Sequence, residues 1–138
     1  MRLYIELKDY PKYMGIQKGD IVLISSDAKL MLYDALAHRK PLDLNSFIDG
    51  LIDAVGEDGT VIFPTYNWGF CKGETFDYLH TPCKTGVLGK IALGRKDFKR
   101  TKHPIYSFAV YGKHQKYLCD LDNLDSFGMD SPFGFFYE

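Results

Sequence analysis

The chain alternates short apolar runs with turn-rich breaks, and the spacing inside each run assigns most of its elements. Ile21-Val22-Leu23-Ile24 is continuously apolar and mostly β-branched. Such a run predicts a strand buried on both faces, as in a sheet covered by helices. It follows the turn-rich Gly15–Asp20 and ends at Ser25-Ser26-Asp27, side chains suited to capping a helix. Ala28–His38 then reads as a helix, with Leu30, Leu32 and Leu36 among its apolar positions. Asn45–Val55 reads as a second helix: Phe47, Ile48, Leu51, Ile52 and Val55 recur at helical spacing, with Asp49 and Asp53 opposite. Asn45 or Ser46 is the expected cap, and Gly56 the C-terminal stop. Glu57-Asp58-Gly59 makes a turn into Thr60–Phe63, a second buried strand stopped by Pro64. Residues 2–14 form a lead-in, helical at most as far as Pro11.

Strand, helix, helix, strand in that order predicts an α/β layered fold. Beyond Pro64 the pattern turns irregular and aromatic through Tyr66, Trp68, Phe70, Phe76 and Tyr78. A long irregular segment inside a compact domain is usually functional. Regularity returns with a helix over Gly86–Leu93, a strand over Tyr106–Tyr111 and a helix over Lys113–Leu121. Ser131-Pro132 is a helix-start signal. The three aromatics that follow read as a helix cut after its first turn.

Charge changes this picture only locally. The net charge of −1 gives no global basic field to draw the chain to nucleic acid or a membrane. Between Lys84 and Lys102, however, seven basic residues stand against Asp97 alone, and after Lys116 only acids follow. Two solvated faces would explain this. So would a basic rim for a polyphosphate and an acidic rim for a cationic substrate. Cys71, Cys83 and Cys119 lack metal-type pairing, which fits a reducing, cytoplasmic setting and no metal. Glu6, Lys8 and Asp9 read against a signal peptide, and no apolar run is long enough to cross a bilayer.

Four segments, in order, resemble the aminoglycoside 3-N-acetyltransferase, or antibiotic acetyltransferase, family. They are Gly19–Ser26, Asp53–Tyr66, Phe76-Asp77 with Thr81–Leu88, and Arg100–Gly112. The second is similar, nearly letter for letter, to the family's VGxDGTLVMPTF stretch, and Ser131–Gly134 matches its SPxG helix start. Ile24 stands where the family usually has His, and Thr85 where it usually has Met. The resemblance covers the chain from about Leu7 onward and only part of the family's length. It implies a layered α/β/α sandwich of the antibiotic acetyltransferase type, distinct from the GNAT fold and here truncated. Residues 1–138 would be the N-terminal, coenzyme A-binding part of a single domain. The family's C-terminal half, which carries the histidine that acts as general base, would be absent.

The resemblance also implies the chemistry: acetyl transfer from acetyl-coenzyme A to an amine of an aminoglycoside, directly and with no metal. An amino sugar of a surface polysaccharide, or a non-catalytic remnant that only binds coenzyme A, are the alternatives. A homo-oligomer is left open. Such a reaction needs a base, donors facing the thioester oxygen and two substrates held in line. The family likeness gives Ser25 and Ser26 to the cofactor, against simple N-capping. It likewise gives Thr81, Pro82, Cys83, Lys84, Thr85 and Gly86 to the cofactor, against an ordinary capped helix. Ser107 is assigned to the cofactor and His103 to catalysis, although a backbone-satisfied structural histidine fits equally. Tyr66, Trp68 and Asp125 are the expected substrate contacts, against a reading as core rings and a solvated carboxylate. The whole scheme requires the corners at Ser25 and Thr81 to face the same ligand.

Overall fold

The computed structural model describes residues 3–25 and 27–138, so the expectations for Ser26 lie outside the described residues. A 3-10 turn at Leu7–Asp9 leads into α1 (Tyr10–Tyr13). Then come β1 (Ile21–Leu23), α2 (Lys29–Ala37), α3 (Leu44–Val55) and β2 (Thr60–Pro64). A 3-10 turn at Gly69–Lys72 interrupts a long irregular stretch. α4 (Val87–Leu93), β3 (Lys99–Arg100), β4 (Phe108–Gly112), α5 (Gln115–Asp120) and α6 (Pro132–Tyr137) complete the chain. The sheet order is β1-β2-β4-β3. β1 runs parallel to β2 with Val22 opposite Val61, while β4 runs antiparallel to β2 with Ile62 opposite Val110.

Alternation along the strands divides the core in two. Val61, Phe63 and Ala109 face one way and pack with Phe47, Ile48, Leu51 and Val55 of α3 and Leu88 and Ala92 of α4. Ile62, Phe108 and Val110 face the other way and pack with Leu118 and Cys119 of α5 and with Phe133, Phe135 and Phe136 at α6. The result is the expected α/β/α sandwich. Pro64 does not stop β2 short: it pairs opposite Phe108 as its last residue. The two-residue β3 is too brief for a periodic signal, and the sequence reading missed it.

Helix α3 follows directly from its pattern, with one correction at its start. Asp43, rather than Asn45 or Ser46, caps it, accepting from the amides of Asn45 (3.1 Å) and Ser46 (3.4 Å). Gly50 lets this helix lie against the lead-in, since a Cβ there would meet the Lys8 carbonyl oxygen at 2.2 Å. Pro11 does not end the lead-in helix but sits in its first turn and is buried. At the far end Ser131 caps α6 by accepting from the Gly134 amide at 3.3 Å.

Two expectations fail on the β1 side. β1 is not buried on both faces: Ile21 and Leu23 are 47% and 45% exposed. β1 is an edge strand, and only Val22 and Ile24 reach the first core. Helix α2 forms nearly where expected, but Leu30 and Leu36 are exposed and Ala35 is its one buried residue among those described. Asp27 makes the side-chain bond at its entrance, accepting from the Lys29 amide at 3.0 Å.

Candidate functional site

The expected site residues gather at one end of the sheet. Parallel β1 and β2 bring their carboxyl ends there, and antiparallel β4 begins there opposite Pro64. Open α/β sheets bind ligands at such strand ends. A cavity of about 560 Å³ lies at this end, of ligand-pocket size. Asp27, Ala28 and Lys29 line one side, Thr85, Gly86 and Val87 another, and Leu32, Leu42 and Leu44 supply apolar wall. Residues 27–29 and 85–87 therefore face one space, but of the expected cofactor residues only Thr85 and Gly86 line it; Ser25, Thr81, Pro82, Cys83 and Lys84 do not. Ser25 is exposed just before the first of these segments.

The second corner is a pinned loop rather than an open helix start. Helix α4 begins only at Val87, with Gly86 as its cap at φ 125°, a backbone setting that favours glycine. Upstream, Lys84 donates its amide to the Tyr66 carbonyl at 2.9 Å. Asn67 donates its side-chain amide to the Pro82 carbonyl at 2.7 Å. The Thr85 hydroxyl donates to the Pro64 carbonyl at 3.0 Å and accepts from the Tyr66 amide at 3.2 Å. Thr81 bonds back to Asp77 through its amide (2.8 Å) and its hydroxyl, which accepts from the Asp77 amide at 2.6 Å. Both hydroxyls expected to face the cofactor are thus spent on holding the loop. Cys83 packs its sulfur 3.4 Å from Thr85 Oγ1 and 3.7 Å from the Pro64 carbonyl. The Lys84 side chain is exposed. Gly89 allows α4 to press on the end of β2, because a Cβ there would meet the Pro64 oxygen at 2.5 Å.

Beneath the loop lies Arg100, which sequence reasoning passed over as one more member of a basic rim. It is 4% exposed. Its Nε donates to Ser107 Oγ at 2.8 Å, one terminal nitrogen to the Thr65 carbonyl at 3.2 Å, and the other to the Thr81 carbonyl. The guanidinium lies 5.0 Å from the centre of the Phe76 ring. Burial pushes its pKa down. Ser107 is correspondingly committed: it is 1% exposed, 2.8 Å from Thr65 Oγ1, and donates to the Thr65 carbonyl at 3.0 Å. It does not line the cavity, so the expected cofactor contact through Ser107 is replaced by a structural one. The basic rim is also thinner than its composition. Arg95 is tied to Asp97 (2.9 Å) and Asp49 (2.7 Å), and Arg100 points inward.

His103 is corrected in the same way. Its Nδ1 accepts from the amides of Ile105 (3.2 Å) and Tyr106 (3.0 Å). That leaves the proton on Nε2, 3.1 Å from Ser126 Oγ. The residue is 7% exposed, and burial lowers its pKa against the opposing pull of Asp125. With the Nδ1 lone pair shared between two amides and Nε2 protonated, the ring has no basic nitrogen to offer. His103 shapes the turn into β4; it is not placed to act as a base.

The expected substrate residues meet through one that was not expected. Tyr106 lies edge-on to Tyr66 at 5.1 Å and to Trp68 at 6.5 Å, and stacks on His103 at 5.8 Å. Phe127, 5.3 Å away, extends the wall towards Asp125, whose carboxylate accepts from the Phe127 amide at 3.1 Å. Trp68 is 43% exposed, whereas burial pushes the Tyr66 phenol up to about 12. Tyr66 is thus mainly wall structure, and Trp68 and Asp125 are the accessible members. Tyr106 belongs to a motif already visible in the sequence, but the rings it meets at Tyr66–Trp68 and Phe127 come from two distant segments.

With this geometry in hand, comparison with known proteins decides the family. The sequence profile described as aminoglycoside 3-N-acetyltransferase matches residues 37–138. The chain belongs to this family. It is similar to the SPbeta prophage-derived aminoglycoside N(3')-acetyltransferase-like protein YokD of Bacillus subtilis (strain 168). That match is 28% identical and covers 91% of this chain and 53% of the relative. The crystal structure of YokD superposes with a TM-score of 0.79 at 23% identity, over 95% of this chain and 59% of that one. The structure of AAC-IIIb with CoASH gives 0.70 at 19% identity, over 91% and 52%. That of AAC-VIa with sisomicin gives 0.71 at 21%, over 94% and 54%. At these identities the structural likenesses show the acetyltransferase fold. The chain spans about half the length of the relatives it matches.

Proposed function

We propose that this chain is the coenzyme A-binding part of an N-acetyltransferase acting on an amino group of an aminoglycoside, at the 3-N position and by direct transfer. The observation that carries this reading is the convergence of the Asp27–Lys29 and Thr85–Val87 corners on one cavity. Its apolar wall suits a pantetheine arm, and the side-chain charges of Lys29 at the rim and of exposed Lys84 nearby suit phosphate. The neighbours caught with CoASH and with sisomicin support the same two ligand classes. When bound, acetyl-coenzyme A supplies the activated acetyl group. The residues of this chain hold and orient it: Leu32, Leu42 and Leu44 exclude water, while the pinned loop 81–86 fixes the second wall. Trp68 and Asp125 would present an apolar face and a carboxylate to a cationic sugar. A cytoplasmic setting fits this chemistry.

His103 favours a second reading, binding without turnover. His103 has both ring nitrogens engaged, so the base that an attacking amine needs would come from elsewhere. Thermal-shift titration with acetyl-coenzyme A, followed by a thiol-release assay with sisomicin and with an amino-sugar acceptor, separates the two. Binding with sisomicin-dependent thiol release supports the enzyme, binding with no release the second reading. No rise in melting temperature counts against both. Ser25→Val should weaken coenzyme A binding and leave the melting temperature unchanged; unaltered affinity removes that corner from the site.

A further inference from the structure

The cavity shared by residues 27–29 and 85–87 is walled largely by hydrocarbon. Ala28 and Leu32 come from the start of α2, Leu42 and Leu44 from the entry to α3, and Val87 from the first turn of α4. Ala28 and Leu42 also pack on the first core, and Leu44 is buried in it, so this wall is held in place. Leu32 and Val87 are 37% and 43% exposed, which leaves apolar surface open to solvent. The polar side chains of the lining are already committed. The Thr85 hydroxyl is bonded to the Pro64 carbonyl and the Tyr66 amide. Asp27 pairs with Lys29 at 3.7 Å, and both are well exposed. A polar group laid along this wall would lose water and find no free side-chain partner among the described lining residues, which is costly.

We infer that this cavity seats an acyl chain longer than acetyl, carried on the coenzyme. The inference rests on the coenzyme A reading above for the carrier and adds the class of acyl group. A pantetheine arm carries two amides and must keep partners for them, so it is matched to the wall only in part. An acetyl group is too small to fill a cavity of about 560 Å³. A hydrocarbon chain has no polar atom to strand, and every methylene it lays against Leu32, Leu42, Leu44 and Val87 is removed from water.

The test is a calorimetric titration of the whole chain with coenzyme A, with its acetyl, butyryl and hexanoyl thioesters, and with hexanoate alone. Each added methylene should tighten binding by about fourfold until the cavity is filled, the worth of one buried CH₂ group. Equal affinity for acetyl- and hexanoyl-coenzyme A overturns the inference and leaves the coenzyme reading standing. Leu32→Gln and Val87→Gln, both at part-exposed positions, should each flatten the gradient with chain length, whatever they do to affinity in general. A gradient as steep as that of the wild type in both variants overturns the inference. An NMR measurement on the wild type is independent of how the variants fold. The methyl resonances of Leu32, Leu42 and Val87 should shift further with hexanoyl-coenzyme A than with acetyl-coenzyme A; equal shifts overturn the inference. Hexanoate binding at these methyls without binding of coenzyme A or any thioester would sink the coenzyme reading and leave the acyl-chain seat standing. A chain that binds none of these ligands removes both.

Discussion

Helices α2 and α3 both flank the first core, are both rich in apolar residues, and differ in almost every other respect. Leu44, Phe47, Ile48, Leu51 and Val55 of α3 lie along one face and are buried, against a polar face of Asn45, Asp49 and Asp53. α2 carries Leu30, Met31, Leu32, Tyr33, Ala35, Leu36 and Ala37, apolar on every side. Met31 reaches the core and Ala35 is buried, but Leu30, Tyr33 and Leu36 are 79%, 62% and 63% exposed. Apolar content alone therefore does not bury a helix. A one-sided stripe can be satisfied by one neighbouring sheet, whereas an all-round apolar helix needs neighbours on every side. The strand beside it repeats the lesson: β1 covers Val22 and Ile24 and leaves Ile21 and Leu23 open.

This contrast can be broken most severely at Leu51, which is fully buried. Leu51→Ala should cost about 3 kcal/mol through lost burial and a residual cavity, read from urea unfolding. A loss as small as that at a surface site would mean that α3 is not the fold's anchor. Next in size is the α3 cap: Asp43→Ala should cost about 1 kcal/mol, and Asp43→Asn should recover most of it.

The pH profile comes third. Burial lowers the His103 pKa in the folded state. Above the unfolded value of about 6.5 both states are neutral and the full stability is present. As pH falls below that value the unfolded chain takes up the proton first, so stability declines towards the folded pKa. His103→Gln should flatten the decline in melting temperature between about pH 7.5 and 5.5; an unchanged slope would show that His103 is not its source. Smallest is Leu36→Lys on α2, expected to shift stability by no more than about 0.5 kcal/mol. A loss comparable to that of Leu51→Ala would erase the distinction between the two helices.

Legibility followed the same division. The α3 stripe, the β2 run and the Ser131-Pro132 helix start were readable because each signal is local: a period, a propensity, a cap. The loop at 81–86 was found, but its direction was not, since Thr81 and Thr85 are claimed by Asp77 and by the Pro64–Tyr66 backbone. His103 offered the right chemistry for a base, and only its turn geometry shows that two amides occupy its Nδ1. Tyr106 gave no signal of its own, because its importance lies in rings drawn from two other segments, Tyr66–Trp68 and Phe127.

What the amino-acid order settled by itself was most of the helices and strands and the family likeness; that residues 27–29 and 85–87 share one cavity is visible only in the fold. Tertiary structure alone decided which polar groups remain available there. Hydrogen-bond partners are chosen by proximity across the sheet end, so Arg100, one basic residue among seven in its stretch of sequence, became the buried charge beneath the loop. The same is true of β1, whose composition suits a central strand and whose edge position follows only from the order in which the strands pair.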